Sequence, residues 1–202
     1  MKFLKSLNKT LHDIEGENSL LVHGLVGCNL NCFSCHNREE LICKTHEDYI
    51  SENELLGIIE SNGYFFDNII FSGGEITLDY KILKELLIKI KKVYEGKIII
   101  YTNGTIPEAI IELLEVVDGF HMDLKYNIDI DDIYNICGRN TNSNDIRKSL
   151  DIIYVNNKGF SQIRTVKYPQ YNDEYLHELI VFMKDNYPNI EYRQNEFYEI
   201  NA

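Results

Sequence analysis

Short apolar runs alternate with amphipathic stretches along most of this chain. Leu20–Val26, Asn68–Phe71, Lys97–Tyr101, Gly119–Leu124 and Ser161–Lys167 are rich in Ile, Val and Phe, and several carry apolar residues side by side. Such runs suit strands covered on both faces, as in a parallel sheet. A sixth run, Asn189–Arg193, is weaker. Between them lie helical patterns. Ile82, Leu83, Leu86, Leu87 and Ile90 form one apolar stripe, and Leu55, Leu56, Ile58 and Ile59 another. Ile110, Ile111, Leu113 and Leu114 follow Pro107, which suits a first helical turn because its missing N–H costs nothing there. Ile146, Leu150 and Ile153 predict a fourth helix, and Leu176, Leu179, Ile180 and Met183 a fifth. Strand–helix alternation implies parallel strands with right-handed crossovers. About six units are too few for a closed eight-stranded barrel, so the pattern predicts an α/β fold: a partial barrel or an open doubly wound sheet.

In such folds the loops after the strands gather at one rim, where chemistry sits. The first strand leads into "GCNLNCFSC", the second into "SGGE" (Ser72 to Glu75), and the third into "TNG" (Thr102 to Gly104). The fourth ends in "DLK" (Asp123 to Lys125), and the fifth carries Arg164. Asp123 and Lys125 alternate along a strand and so share a face. Arg164 lies in an apolar strand, where an unpaired charge is costly, so it should meet a carboxylate or phosphate.

Composition narrows the function classes. The 202 residues are 44% hydrophobic and 26% charged, enough for one domain spanning 1–202 with a sizeable core. A net charge of -12 argues against non-specific nucleic-acid binding, which needs Lys and Arg. The N-terminal stretch lacks the apolar run of a signal peptide, and no stretch approaches a membrane span. The expectation is a cytoplasmic chain with reduced thiols, where clustered cysteines bind metal or catalyse rather than form disulfides.

Three of the five cysteines, Cys28, Cys32 and Cys35, fall within eight positions in a C-x3-C-x2-C spacing. Thiolates are soft ligands that suit zinc or an iron–sulfur cluster. Zinc would need a fourth ligand, for which His36 is the neighbour, but structural zinc sites commonly pair two short ligand motifs and no second pair exists here. A [4Fe–4S] cube takes one cysteine per iron, so three would leave one iron open. Cys43 and Cys137 stand alone and read as packed or incidental thiols. His36 and His121 read as local hydrogen-bonding residues.

"CNLNCFSCHN" after a strand, followed by "FSGGE", resembles the radical S-adenosylmethionine superfamily. Within it the chain is similar to activating enzymes of glycyl radical proteins, which include the pyruvate formate-lyase activase and the activating protein of anaerobic ribonucleotide reductase. "GCNLNCFSCHN", "FSGGEITL", "YTNGT", "HMDLK" and "IRTVKYP" stand in that family's order across residues 27–169, with the cysteine loop at 27–37. The resemblance implies a partial (β/α)6 TIM-like barrel. It implies that Cys28, Cys32 and Cys35 hold a [4Fe–4S] cluster whose open iron takes the amino and carboxylate groups of S-adenosylmethionine. Gly73, Gly74 and Glu75 would receive the methionine amino group. Phe33, Ser34 and Cys35 lie where the family's loop touches the adenosine. Thr102, Asn103, Asp123 and Lys125 would line the methionine and ribose part, with Arg164 against carboxylate or ribose. One electron would break the sulfonium C–S bond, and the 5′-deoxyadenosyl radical would abstract hydrogen from a backbone glycine of a partner enzyme. The implied partners are that glycyl radical enzyme and a low-potential donor of the flavodoxin or ferredoxin type, with no nucleic acid and no membrane. The short length and the "FSGGEITL...YTNGT...IRTV" run are most like the ribonucleotide reductase type. Two positions depart from the pattern. Ile76 follows Gly-Gly-Glu where many relatives have Pro, and Tyr101 precedes "TNG" where formate-lyase activases often place an Asp that helps hold a cation.

Overall fold

The computed structural model describes residues 1–10, 14, 16–125, 137 and 142–198. Two short strands, β1 (Lys2–Leu4) and β2 (Asn8–Thr10), both pair antiparallel with β3 (Ser19–Gly24). Beyond the cysteine loop, β4 (Tyr49–Ser51) pairs with β1 and leads into α1 (Glu52–Asn62). The rest alternates: β5 (Asn68–Gly73), α2 (Tyr80–Ile90), β6 (Lys97–Thr102), α3 (Pro107–Leu113), β7 (Gly119–Asp123), α4 (Ser143–Val155), β8 (Gln162–Lys167), α5 (Asp173–Asn186) and β9 (Glu191–Glu196).

All nine strands among the described residues belong to one sheet. Its six parallel members, β3, β5, β6, β7, β8 and β9, lie side by side in chain order. A doubly wound sheet reverses its strand order at a switch point. No reversal occurs among the parallel strands here, so the winding is that of a barrel left partly open. The expected α/β partial barrel is the observed one.

Local chemistry explains the elements. Every residue of β5 is buried, and Ile69, Ile70 and Phe71 are fully so, because sheet neighbours and helices cover both faces. Each such side chain contributes about 1.5–3 kcal/mol relative to exposure. Ser51 caps α1: its hydroxyl accepts from the Glu54 N–H while the Glu54 carboxylate accepts from the Ser51 N–H. Asn142 and Asn172 cap α4 and α5 in the same spirit, accepting from Asn144 and Tyr175 N–H. Pro107 opens α3 as expected.

Three details differ from the sequence expectation. Ile82, Ile111 and Ile180 turn outward, since the core stripe of each helix is narrower than its run of apolar residues. The last strand lies two to three residues later than the apolar run Asn189–Arg193, because β9 is only half-buried and its pairing follows β8 rather than hydrophobicity. The antiparallel strands β1, β2 and β4 carry no sequence periodicity: each is three residues long. No described helix is long and apolar enough to cross a membrane.

Candidate functional site

At the C-terminal ends of the parallel strands lies a cavity of about 400 Å³. The sequence-nominated residues Cys28, Cys32, Cys35, Gly73, Gly74, Glu75, Thr102, Asn103, Asp123, Lys125 and Arg164 all line it. Phe33 and Ser34 do not: Phe33 is 76% exposed and Ser34 half-buried. Cys43 is exposed, while Cys137 is fully buried.

The two glycines after β5 let its loop seat against the cysteine loop. A Cβ on Gly74 would come within 2.0 Å of the Gly27 carbonyl oxygen, and one on Gly73, at φ +149°, within 2.4 Å of the Gly24 carbonyl oxygen. The Glu75 N–H then donates to the Gly27 carbonyl at 2.8 Å. Ile76 is buried in the core, which suits an apolar residue at that position.

Glu75 is almost fully buried, and among the described residues its carboxylate accepts from neutral donors. These are the Thr77 hydroxyl (2.5 Å), the Thr77 N–H (3.3 Å), the Thr102 hydroxyl (2.8 Å) and the Asn103 N–H (2.6 Å). Burial raises its pKa above the ordinary value against the pull of those bonds. Thr102 and Asn103 therefore serve first to fix Glu75. The Asn103 side chain turns the other way and joins the cysteine loop. It donates to Asn29 Oδ1 at 2.9 Å; Asn29 Nδ2 donates to the Thr105 hydroxyl at 2.7 Å; and that hydroxyl donates to Asn103 Oδ1 at 2.6 Å.

Opposite stands a charged trio. Asp123 accepts from Lys125 at 3.1 Å and from Arg164 at 3.2 Å, so Arg164 meets the carboxylate its setting demanded. Burial alone would raise the Asp123 carboxyl, but the two cations hold it below its usual range. Lys125 is likewise held well above its ordinary value: burial opposes this, and Asp123 overrides it. The Arg164 guanidinium sits 3.9 Å over the Tyr101 ring, and Tyr101 stacks on His121 with centroids 5.1 Å apart. Burial, aided by the Arg164 charge, pushes the His121 ring down to about 3, so it is neutral. Where a carboxylate would favour a cation, this chain thus has an aromatic ring already facing a guanidinium.

The thiols differ among themselves. Burial raises Cys28, although the Leu30 N–H donates to its sulfur at 3.4 Å. Cys32 is lowered to about 6, chiefly by a hydrogen bond from the Cys137 thiol and with help from Lys125. Among the described residues, no three His, Cys, Asp or Glu side chains meet closely enough to hold one metal ion. A single tetrahedral ion would need thiolates about 2.3 Å from it, whereas a multi-iron cluster takes one thiolate per iron and spreads them apart. The donor set suits the cluster.

Sequence reasoning missed several residues that hold or line the site. Asn29 ties the cysteine loop to the loop after β6, and Asn37 Nδ2 reaches the Gly73 carbonyl at 3.5 Å. Arg38 donates to the Cys32 carbonyl at 3.0 Å, and His23 and Leu21 form part of the lining. Asparagine at two positions of "CNLNC", and again directly after "CH", is the signal that could have found the first two.

A family profile described as "Radical SAM superfamily" matches residues 23–183. A Methanocaldococcus jannaschii protein provisionally named a glycyl-radical enzyme activating enzyme is 32% identical over 157 residues, 74% of this chain and 62% of its own length. An uncharacterized protein of the same organism is 29% identical over 182 residues, covering 84% of this chain and 42% of its own. Among solved structures, Streptococcus suis SuiB bound to S-adenosylmethionine superposes with a TM-score of 0.67 at 19% identity, over 87% of this chain and 40% of that one. Native anSMEcpe with bound AdoMet and Kp18Cys peptide gives 0.68 at 16% identity, over 91% and 53%. At these identities the structures speak for the fold. The chain spans between two fifths and about three fifths of the length of these relatives.

Proposed function

The chain belongs to the Radical SAM superfamily, and on that premise we propose that it is an activating enzyme that generates a glycyl radical on a partner protein. Cys28, Cys32 and Cys35 would hold a [4Fe–4S] cluster and leave one iron for S-adenosylmethionine. When bound, the cluster supplies the electron that cleaves the cofactor's sulfonium and releases a 5′-deoxyadenosyl radical. The chain's own residues bind and orient. Glu75, a buried carboxyl group met by neutral donors among the described residues, suits the methionine ammonium. Lys125 and Arg164, two cations sharing one carboxylate, suit the methionine carboxylate and the ribose. Thr102 and Asn103 keep Glu75 in place, while Asn29 and Asn37 keep the cysteine loop against the two neighbouring loops. The proposed partner is an anaerobic ribonucleotide reductase, and the proposed electron donor is of the flavodoxin or ferredoxin type.

One observation carries the reading: three thiols, a buried carboxyl group and a cationic pair line one cavity at the open rim of six parallel strands. The test is to reduce the anaerobically loaded protein with S-adenosylmethionine and candidate glycyl radical enzymes, then record the electron paramagnetic resonance spectrum. A glycyl radical on the partner is expected. Cofactor cleavage with no radical on any such partner would instead favour a small-molecule substrate.

A further inference from the structure

Cys28 is bracketed by two connections that both lead to Glu75. On one side the Gly27 carbonyl accepts from the Glu75 N–H at 2.8 Å. On the other, Asn29 Oδ1 accepts from Asn103 Nδ2 at 2.9 Å, and the Asn103 N–H holds the Glu75 carboxyl at 2.6 Å. The second connection runs through a closed ring that includes Thr105. The Thr105 N–H donates to Asn103 Oδ1 at 3.0 Å, which makes that oxygen the acceptor and turns Asn103 Nδ2 toward Asn29. Asn29 then accepts through Oδ1, and its Nδ2 donates to the Thr105 hydroxyl at 2.7 Å. That hydroxyl closes the ring on Asn103 Oδ1 at 2.6 Å. Each of the three side chains both donates and accepts, and the bonds run in one sense, so each polarises the next. Gly104, at φ +73°, makes the turn that brings Thr105 back onto Asn103, and the Ser149 hydroxyl clamps the Gly104 carbonyl from α4 at 2.6 Å. Asn103 lines the cavity; Asn29 and Thr105 do not. The Cys32 and Cys35 carbonyls are tied instead to Arg38, within their own segment.

We infer that Asn29 and Thr105 are positioning residues for S-adenosylmethionine, because the ring they close with Asn103 fixes the Glu75 carboxyl relative to Cys28. The inference rests on the cofactor assignment above, in which one amino group meets both the open iron and Glu75. A ligand held at two points loses affinity when the points are no longer held in register. The Gly27 carbonyl registers only the backbone of Glu75. The ring registers its carboxyl, so opening the ring leaves the two loops joined but frees the carboxyl to drift. Neither Asn29 nor Thr105 touches the reacting atoms, and neither is catalytic.

The experiment compares wild type with Asn29→Ala, Thr105→Val, Thr105→Ser and the double variant Asn29→Ala with Thr105→Val. Each is loaded anaerobically with iron and sulfide and its iron counted. The reduced protein is then titrated with S-adenosylmethionine by electron paramagnetic resonance to give a dissociation constant. Thr105→Val keeps the shape of the side chain and removes its hydroxyl. The Ala and Val variants should load the same iron and bind the cofactor on the order of tenfold more weakly, as happens when the partners that orient a metal site are removed. Thr105→Ser keeps the hydroxyl and should lie nearer wild type. The double variant should bind no more weakly than the weaker single, because one missing member already opens the ring. Unchanged constants in Ala and Val would overturn the inference, as would a Ser loss as large as that of Val, or losses that add in the double variant. Loss of the cluster from folded Ala and Val variants would also overturn it, by making the ring a support for the thiols rather than for the cofactor. A wild type that loads iron and ignores S-adenosylmethionine would instead refute the assignment on which the inference stands.

Discussion

Glu75, just past β5, and Asp123, at the end of β7, are two acids on the rim of the same sheet, and the fold treats them oppositely. Glu75 is buried among hydroxyls and amide N–H groups, and burial raises its pKa against their pull. Asp123 faces two cations, so its pKa falls. One flank of the cavity thereby holds a carboxyl group met by neutral donors, and the other carries two cations against one carboxylate. A zwitterion with separate ammonium and carboxylate ends, such as the methionine part of the proposed cofactor, matches that division.

The contrast can be broken most severely on the Glu75 side, at its support. Gly74→Ala drives a Cβ into the Gly27 carbonyl and should force the loop after β5 off the cysteine loop. We expect a loss of about 3 kcal/mol or more in denaturant unfolding of the cluster-free protein, in the range of backbone-strain variants. Asp123→Asn removes the shared counter-charge of Lys125 and Arg164. A fully buried pair broken this way costs about 3–5 kcal/mol. The Asp123 side chain is 36% exposed, so solvent screens part of this and about 2–3 kcal/mol is expected. An unchanged midpoint in either variant would contradict the described contacts.

Glu75→Gln sharpens the comparison. The amide would turn its NH2 toward the Asn103 N–H and leave a buried donor unpaired, a penalty of about 1–3 kcal/mol. Relief of the burial penalty on the carboxyl offsets part of it, so a net loss of about 1 kcal/mol is expected. The two acids should also separate by pH. Asp123, with a depressed folded pKa, contributes stability that is present above the unfolded value of about 3.9 and lost as pH falls through its folded value. Glu75, with a raised folded pKa, contributes stability that is full below about 4.3 and lost as pH rises through its folded value. Between pH 7 and pH 5 the advantage of wild type over Glu75→Gln should therefore grow, while its advantage over Asp123→Asn stays level. Melting curves across that window check both. The smallest effect is expected from Tyr101→Leu, which removes the ring under Arg164 and should cost about 1 kcal/mol.

The parallel core was legible because Ile69, Ile70, Phe71 and Ile98–Ile100 are buried on both faces, and burial of that kind writes itself as unbroken apolar runs. The rim residues were legible because strand ends were, and each polar cluster lay at or just past one except Arg164, which lies within β8. What escaped depends on pairing rather than pattern. The strands β1 and β4 exist because Phe3 aligns with Gly24 and Ile50, a register no local window contains. The roles of Thr102 and Asn103 escaped for the same reason: nothing in "TNG" announces that its hydroxyl and N–H are turned toward a carboxylate 27 and 28 positions earlier. Cys137 is the extreme case, since the Asn31 N–H that its carbonyl accepts from lies more than a hundred residues away in the chain.

The most direct test is to load the protein with iron and sulfide under anaerobic conditions, count the metal, reduce it, and record its electron paramagnetic resonance spectrum before and after adding S-adenosylmethionine. About four irons per chain are expected, one for each corner of a cube held by three thiolates, with a signal that changes when the cofactor takes the fourth iron. One zinc per chain, or a full iron complement whose signal ignores S-adenosylmethionine, would contradict the account.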